Sequence, residues 1–534
     1  MQPALCVTRS SSSRLISAIF ILAFCILTGC GTNPGSNMTT QKLTGTTSVT
    51  AVLSSTANDQ LTQFDLQLQA LSLTSQSGKT VSLLTAAQPS EYMHLNGGID
   101  PLVSVTVPQD IYTAATVTIA YGNFVCIANG VIDGSPSLEI TTYNDNVPAS
   151  SVTVNLPSPI TVTGTSMGLA LNLLVSQSAS VPDCLNPMGF TGYSLTPTFN
   201  VSPFTLASSP TNPENGKVAG LEGQVASISS GNNFTLSVPE GPSGTRTLFV
   251  TTGSATAFQG ISGFSALAKG MFVNMDGALE TSGSVAATRI AVDDPSAVNL
   301  LTGPLMQVAS DVPVLLVYGR QEQGPLSPGP IGAGEYFTTP YLDFSNVVFG
   351  ISGQFTNLQS LPFVASFNAS NMVAGQNVDI SASTLSVVGG VYTPANMITL
   401  IPQTINATVV GSSVAGNFTD YTVSLAPYDL FPALAVQPGQ STLLANPGQI
   451  EVYVDNHTQM LNSQPIASGS TLRFYGLVFN DNGTLRMDCS QVNDGVAAAS
   501  QSNSTRHLLA GEQRIIGRNG PGGLRETIRF VSTR

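Results

Sequence analysis

The chain alternates apolar and polar residues over short stretches that glycine or proline soon interrupts, and this pattern limits its fold more than any other feature. Residues 103–107, 234–238 and 450–454 alternate with a period of two, which places successive side chains on opposite faces of a β-strand. Few stretches reach the roughly 10–12 residues that a helix usually needs before a glycine or proline intervenes. Residues 61–71 also fit a helical spacing, but the β-type segments around them favour a strand. The sequence therefore predicts an all-β, multidomain fold with almost no helix after the N-terminal segment.

Composition excludes several other classes of protein. Charged residues make up 9% of the chain, and the net charge is −13 over 534 residues. These values are too low for a coiled coil and too dilute to keep the chain unfolded by repulsion. The negative sign argues against a nucleic-acid partner. At roughly 150 residues per domain, the length predicts three or four domains.

The first thirty residues carry the parts of a secretory signal. Arg9 and Arg14 precede an apolar run over residues 15–27, and Thr28-Gly29-Cys30 follow it. At 1.5 Å per residue the run spans about 20 Å, which is short of the ~30 Å hydrocarbon core that a transmembrane helix must cross. The pattern therefore predicts export rather than a permanent membrane span.

Leu27-Thr28-Gly29-Cys30 resembles the lipobox of bacterial lipoproteins. The resemblance implies that residues 1–29 are removed, that the Cys30 sulfur carries a diacylglycerol, and that its amine is acylated. The alternative is an ordinary signal peptide in which this cysteine occurs by chance. An acidic residue after the cysteine is the usual inner-membrane retention signal of that family, and Gly31 stands there instead. The resemblance thus implies an extracytoplasmic protein anchored through Cys30 to the outer membrane, on its periplasmic face or at the cell surface.

A flexible tether and a β-sandwich are predicted next. Residues 30–47 are rich in Ser, Thr, Gly and Asn without periodicity, which is typical of a tether. Over residues 48–196, short β-type segments end at prolines such as Pro108 and Pro157, which strand interiors do not accept. This pattern predicts a sandwich of two sheets.

The same region resembles the domain-of-unknown-function 4382 family of bacterial lipoproteins. The resemblance rests on the strand at 66–73, the turn at 107–113 and the strand at 169–174, and it covers about residues 48–180. It departs from the family at residues 54–58, where Ser-Ser-Thr-Ala-Asn replaces an acidic, proline-containing turn. Because that family has no assigned chemistry, the resemblance implies a fold and a location but no reaction.

After a proline-rich linker at residues 197–216, an internal repeat predicts tandem small β-barrels or meanders. Residues 217–298 carry Gly270 and Gly277 after a run of strand-like segments, and residues 403–496 carry Gly469 and Gly476 in the same arrangement. The first copy resembles the domain-of-unknown-function 5666 family, a small β-barrel often found in tandem in secreted bacterial proteins. Residues 299–402 are predicted to be a diverged β-domain, in which Gly375 echoes the repeat.

The remaining cysteines and the C-terminal tail leave alternatives open. Cys126 and Cys184 fall in one predicted domain, and export permits a disulfide between them, but the sequence does not decide between a bridge and two thiols. Cys489 has no evident partner and is predicted to be a buried thiol. The tail at 497–534 is basic. It either lies against an acidic surface or anionic lipid, or it is disordered, and we expect disorder.

No residue pattern predicts catalysis, a cofactor or a bound metal. Gly164-Thr165-Ser166-Met167-Gly168 matches the elbow of serine hydrolases, but it links two β-type segments and no suitably placed histidine follows. The three histidines are far apart in sequence, so a zinc site is not expected. The segment 480–483 offers oxygen ligands for Ca²⁺, yet turn formation explains Asn, Asp and Gly equally well.

Three functional hypotheses follow. The first is a non-catalytic, lipid-anchored envelope protein with a structural or surface-binding role, whose partner is an envelope polymer or another envelope protein. The second is polysaccharide or envelope-polymer binding, in which tandem β-modules present several weak sites. The third is an enzyme with an unrecognised site, which a pocket lined by acidic side chains at a domain junction would favour.

Overall fold

The structure is a computed structural model that describes part of the chain. The chain divides into two units, Met1–Lys42 and Leu43–Arg534, and all described residues belong to the second. They run from 43 to 529 with gaps at 57–60, 85, 94, 96–98, 133–134, 146–149, 179–194, 205, 207–215, 241–243, 309–314, 319–320, 325–335, 340–346, 353–357, 383–385, 388–391, 394–395, 427–428, 436–443, 461, 463 and 496–524. The predicted signal segment, Cys30 and most of the predicted tether therefore lie outside the described residues.

Ten strands form two sheets in the N-terminal part. They are β1 (Thr46–Ser55), β2 (Leu61–Ser75), β3 (Thr80–Leu84), β4 (Gln88–Glu91), β5 (Asp100–Pro108), β6 (Asp110–Ile132), β7 (Ser135–Asp145), β8 (Ser150–Val162), β9 (Ser166–Leu173) and β10 (Phe199–Phe204). One sheet has the order β10-β9-β1-β5, with β1 parallel to β9. The other has the order β3-β2-β6-β7, and β4 and β8 pair with β2 and β6.

One hydrophobic core joins these two sheets. Val49 and Leu53 of β1 share it with Phe64 and Leu66 of β2, because alternate residues of each strand face the other sheet. The rings of Phe64 and Phe124 meet edge to face with centroids 6.1 Å apart. The sandwich predicted from the sequence is confirmed, and the ambiguous residues 61–71 lie in a strand.

The next six strands close into the first barrel. They are β11 (Lys217–Ser229), β12 (Asn233–Pro239), β13 (Thr245–Thr251), β14 (Ala257–Gln259), β15 (Phe272–Leu279) and β16 (Val285–Ala291). The order is β13-β12-β11-β15-β16-β14, and β13 also pairs in parallel with β16. That pairing closes the sheet around a core that includes Phe234, Leu236 and Met275.

The middle copy follows, and six of its strands pair in the same order as the six strands of the first barrel. Its strands are β17 (Asn299–Val308), β18 (Leu315–Tyr318), β19 (Gln321–Gln323), β20 (Tyr336–Thr339), β21 (Val348–Ile351), β22 (Asn377–Ala382), β23 (Ser386–Val387), β24 (Tyr392–Thr393) and β25 (Met397–Leu400). The main path is β20-β18-β17-β22-β25-β21, with β19 also on β17, while β23 and β24 form a separate pair.

The last barrel repeats the first. Its strands are β26 (Gln403–Ala415), β27 (Phe418–Leu425), β28 (Gln449–Val454), β29 (Gln459–Met460), β30 (Thr471–Asp481) and β31 (Thr484–Asp494). Their order is β28-β27-β26-β30-β31-β29, and β28 closes in parallel on β31. Each barrel has five long strands and one short strand, β14 or β29. The first long strand pairs with the second and the fourth, and the third pairs with the fifth. This is the connectivity of the OB-fold, a five-stranded Greek-key barrel.

The same backbone device recurs in all three copies. A glycine just before β15, β22 and β30 has a positive φ of 93°, 104° and 90°, respectively. Side chains disfavour this conformation. The N–H of this glycine donates to a carbonyl of the first strand, and that strand shifts register directly after the accepting residue. The pairs are Gly270 with Val225, Gly375 with Leu305, and Gly469 with Val409, each at 2.8 Å.

A second glycine is present in both barrels, and alanine stands at its position in the middle copy. Gly277 and Gly476 sit at register shifts between the fourth and fifth long strands. A Cβ there would approach the carbonyl oxygen of Ala286 to 2.6 Å and that of Asp488 to 2.0 Å. The middle copy has Ala382 seven residues after Gly375. The strand that contains Ala382, β22, pairs with β17 and with β25 without a register shift. Loss of this glycine therefore accompanies loss of the bulge.

Little else interrupts the strands. Among the described residues, two short helices, α1 (Val175–Ser178) and α2 (Leu430–Ala435), and two 3₁₀ turns, at Phe264–Ala266 and Leu358–Ser360, accompany them. In the described part of the chain no helix is long and apolar enough to cross a bilayer. The all-β, multidomain prediction is confirmed.

The C-terminal tail contains a final strand. This strand, β32 (Arg525–Arg529), pairs antiparallel with β7 at the edge of the N-terminal sandwich. The rest of the tail lies outside the described residues, so the disorder predicted for residues 497–534 stays a prediction.

Candidate functional site

A cleft lies where the middle copy meets the first barrel. We call it the junction cleft; it is lined by Glu222, Phe272, Val273, Asn274, Ala291, Asp293, Asp294, Ala297, Leu300, Asp379, Ser381 and Thr399. Its volume of about 30 Å³ holds a few water molecules and is too small to enclose an organic ligand. Its acidic lining at a domain junction matches the pocket that the third hypothesis names, but its volume does not admit an organic substrate.

The carboxylates of the junction cleft accept hydrogen bonds from neighbouring side chains. Asp294 accepts one from the Ser381 hydroxyl at 2.5 Å, and Asp379 accepts one from the Thr302 hydroxyl at 2.5 Å. Glu222 accepts from the Asn274 amide at 3.0 Å. Asp294 belongs to the segment between the two copies, whereas Ser381 belongs to β22, so their bond fastens that segment to the middle copy. This arrangement is that of a structural joint.

A buried ion cluster joins the sandwich to the first barrel. We call Glu91, Asp100, Glu240 and Arg246 the ion cluster; their side chains are nearly inaccessible to solvent. Arg246 Nη2 lies 2.9 Å from Asp100 Oδ2 and 2.6 Å from Glu240 Oε1. The other oxygen of Glu240 accepts a hydrogen bond from the Glu91 backbone N–H at 2.8 Å. Asp100 and Glu91 belong to the sandwich, so one arginine of the barrel holds both parts together.

The backbone around Glu91 depends on the same cluster. Glu91 Oε1 accepts from the backbone N–H groups of Phe64 at 3.1 Å and Met93 at 2.9 Å. Tyr92 has no exposed surface, and burial raises the pKa of its phenol. The cluster thus orders the end of β4 as well as the domain contact.

The outer face of the last barrel is covered by the chain itself. Phe363, from the connection between β21 and β22, packs on Tyr453 of β28 with ring centroids 5.1 Å apart. The Arg486 guanidinium lies 5.6 Å from the Phe363 ring and pairs with Glu451 at 2.5 Å and Asp481 at 2.9 Å. A ring from the middle copy therefore occupies this face.

The corresponding face of the first barrel is open. Phe249 of β13 points outward with 45% of its surface exposed. Its cross-strand neighbour is Thr235 of β12, whose hydroxyl lies 2.7 Å from that of Ser227 on β11. The exposed Thr247 and partly exposed Thr251 flank Phe249 along the same strand. We call these five residues the Phe249 face.

Two carboxylates lie close together at one end of the last barrel. Asp455 accepts from the backbone N–H groups of His457 and Thr458, and the Thr458 hydroxyl donates to the Cys489 carbonyl at 2.8 Å. Burial and the charge of Asp455 raise the pKa of Asp488 to about 6. Burial also raises the pKa of the Cys489 thiol, which is free and donates to the Gln491 carbonyl at 3.3 Å. The predicted buried thiol is confirmed.

The structure places the other candidate residues as follows. Cys30 and Cys184 lie outside the described residues, and Cys126 is in β6. The disulfide therefore stays a prediction, which peptide mapping without reductant would test. Gly164 has a φ of 78° in the turn between β8 and β9, so the hydrolase-like motif joins two strands and leads into no helix.

Residues 480–483, for which calcium binding was the alternative, form a hairpin turn. Asp481 pairs with Thr484 across the turn, and Asn482 and Gly483 both have positive φ, which is a primed turn. The Asp481 carboxylate forms an ion pair with the Arg486 guanidinium at 2.9 Å. Among the described side chains no group of three His, Cys, Asp or Glu is arranged to hold a metal ion.

Sequence reasoning missed both the ion cluster and the Phe249 face. Arg246 has the same alternation phase as Leu248 and Val250, which face the core. This phase is the sequence feature that indicates an inward-facing charged side chain. Phe249 stands in the opposite phase, which was the sign of an exposed ring on a polar face.

Comparison with known proteins identifies a family for one part of the chain. Residues 222–291 match the model of a family described as Domain of unknown function (DUF5666). No match was found among curated proteins. The matched residues cover most of the first barrel, which confirms the resemblance predicted for that barrel.

Proposed function

We propose that the protein is a lipid-anchored, extracytoplasmic β-protein of the cell envelope with a non-catalytic, structural or surface-binding role. The observation that carries the proposal is the sequence Leu27-Thr28-Gly29-Cys30 directly after an apolar run with two arginines before it. A lipid on Cys30 would leave about fifteen residues before β1 begins at Thr46. That length of Ser/Thr/Gly-rich chain would let the folded part stand off the membrane.

The outer membrane is the proposed location because Gly31 follows the cysteine. More than one acyl chain is needed for firm anchoring, since a single chain binds only marginally. The acylated Cys30 would supply them, and the membrane is then the first partner of the protein.

Fatty-acid labelling tests the anchor. Cells fed a clickable fatty acid should label the wild-type chain and the Cys25→Ala variant, but not Cys30→Ala. Cys25 is the matched control because it lies within the same apolar run, where alanine keeps the run apolar. Equal labelling of all three chains would refute the lipid anchor.

The second candidate function is binding of a polysaccharide or another envelope polymer. Its support is that one OB-type topology occurs in both barrels and, in the same strand order, in the middle copy. Barrels of this type bind oligosaccharides or oligonucleotides through the face of their second and third strands, which is an argument by analogy of fold. The net charge of −13 disfavours a nucleic acid, whose phosphates need cationic partners.

Retention on polymers tests this candidate. The full chain in detergent should be retained at low salt on at least one insoluble glycan or on peptidoglycan. Passage through every polymer without retention would refute the binding role and would leave the lipid anchor untouched.

A further inference from the structure

We propose that the Phe249 face of the first barrel is a binding site for a neutral polysaccharide, on which Phe249 stacks against a sugar ring. The inference rests on the second candidate function and names its site and ligand class. It comes from comparing the same face in the two barrels.

The shared backbone geometry sets the correspondence between the two barrels. On the fifth long strand, Ala286 precedes the partner of Gly277, and Asp488 precedes the partner of Gly476. The parallel closure then pairs Thr251 with Ala286 and Tyr453 with Asp488. Thr251 therefore corresponds to Tyr453, and Phe249, two residues earlier, corresponds to Glu451.

In the last barrel this face accommodates a ring. Phe363 packs on Tyr453 and lies 5.7 Å from the Phe479 ring, with the Arg486 guanidinium over its face. Tyr453 is consequently buried. In the last barrel a flat, apolar group from outside the barrel thus packs on the outer side of the third strand.

In the first barrel the aromatic residue is on the barrel itself and stays exposed. Phe249 has the ring, and its neighbours Ser227, Thr235, Thr247 and Thr251 bear hydroxyl groups within one or two residues on three adjacent strands. A pyranose ring has the complementary surface, because its C–H face is apolar and its rim carries hydroxyl groups that pair with such side chains.

The charges select a neutral polymer. The five residues of the Phe249 face are uncharged, and Arg246, on the same strand, points inward to the ion cluster. At the edge of this face the Glu280 carboxylate accepts a hydrogen bond from the Thr251 hydroxyl at 3.3 Å. A carboxylate at the edge repels phosphate or uronate groups and accepts hydrogen bonds from sugar hydroxyls. A protein partner fits less well, since Phe249 is the one large exposed apolar side chain that the structure describes on this face.

Binding of the full chain to soluble neutral glucan, mannan and xylan tests the site, with polygalacturonate as the anionic comparison. Burial of one phenyl ring against a sugar predicts that Phe249→Ala weakens binding about tenfold or more, whereas Phe249→Tyr keeps it. Val414→Ala is the matched control because Val414 is 82% exposed on the last barrel. It should bind like the wild type, and thermal melts should show that all variants are folded.

Each outcome has one meaning. Loss in Phe249→Ala with retention in Phe249→Tyr and Val414→Ala supports the site. Wild-type affinity in Phe249→Ala refutes the site but leaves polymer binding standing. Binding to polygalacturonate alone refutes the neutral ligand class. No binding of the wild type to any polymer refutes both the site and the second candidate function.

Discussion

Replacement of Arg246 by methionine is expected to open the contact between the sandwich and the first barrel. Methionine keeps much of the side-chain volume but removes the guanidinium that lies 2.9 Å from Asp100 and 2.6 Å from Glu240. Both carboxylates remain buried, and a buried charge that loses its partner is strongly unfavourable. Removing one member of a buried ion pair typically costs about 3–5 kcal/mol.

Hydrogen exchange measures this effect where it arises. Global unfolding of a chain with several domains is not two-state, so the free energy of local opening is the better quantity. The amides of Phe64, Glu91 and Met93 all donate to carboxylates of the ion cluster. Their protection should fall by about two to four powers of ten in Arg246→Met.

Two further variants identify the cause. Adding Glu240→Gln to Arg246→Met should restore part of the lost protection, because it removes one of the buried charges. Arg486→Met is the matched control, since Arg486 also pairs with two carboxylates but is 23% exposed. Its cost should be about 1 kcal/mol. Unchanged protection in Arg246→Met, or equal costs for the two arginines, would refute this reasoning.

Three other predictions concern the last barrel. Because the pKa of Asp488 is raised to about 6, above the usual carboxyl value near 4, the folded state holds this proton more tightly than the unfolded state and stability falls as the pH rises from about 4 to 6. Asp488→Asn should therefore match the wild type in thermal melts near pH 4 and exceed it by about 1–3 kcal/mol above pH 7, whereas an equal difference at both pH values would contradict this. Gly476→Ala places a Cβ against a backbone carbonyl and should cost about 1–3 kcal/mol in denaturant titrations, while Gly411→Ala, which meets open space, should cost far less; similar losses would argue against a steric cause. Cys489 should react with a thiol reagent only after denaturation, and rapid labelling of the native chain would show that the thiol is accessible.

The strands and the repeat could be predicted because both depend on local sequence. Period-two alternation reports which side chains face the core, and it correctly favoured a strand at residues 61–71. Gly270 and Gly469 could be matched because a positive φ leaves few alternatives to glycine. The middle copy was harder to recognise, since it keeps Gly375 but has lost the second glycine, and its second strand is divided into β18 and β19.

The ion cluster and the Phe249 face could not be derived because they depend on contacts between distant segments. Asp100 and Arg246 are 146 residues apart, and no local pattern reports that a sandwich and a barrel meet there. The cover of Tyr453 by Phe363 likewise depends on how the middle copy packs on the last barrel. The phase of Arg246 and Phe249 in an alternating strand indicates the inward and outward sides but not what lies on either side.

The copies share the residues that fix the backbone and differ at outward-facing positions. Residues that fix the backbone recur. In all three copies the N–H of a positive-φ glycine donates to the first strand just before its register shift. In both barrels a threonine hydroxyl, that of Thr256 or Thr458, donates to a carbonyl of the fifth long strand. Outward positions of the third strand contribute little to the barrel core and can change without loss of the fold. At these positions Phe249 corresponds to Glu451, so one barrel presents an open neutral face and the other a charged face closed by Phe363. A ligand site built on this fold is therefore expected on the first barrel, where the outer face carries an exposed ring.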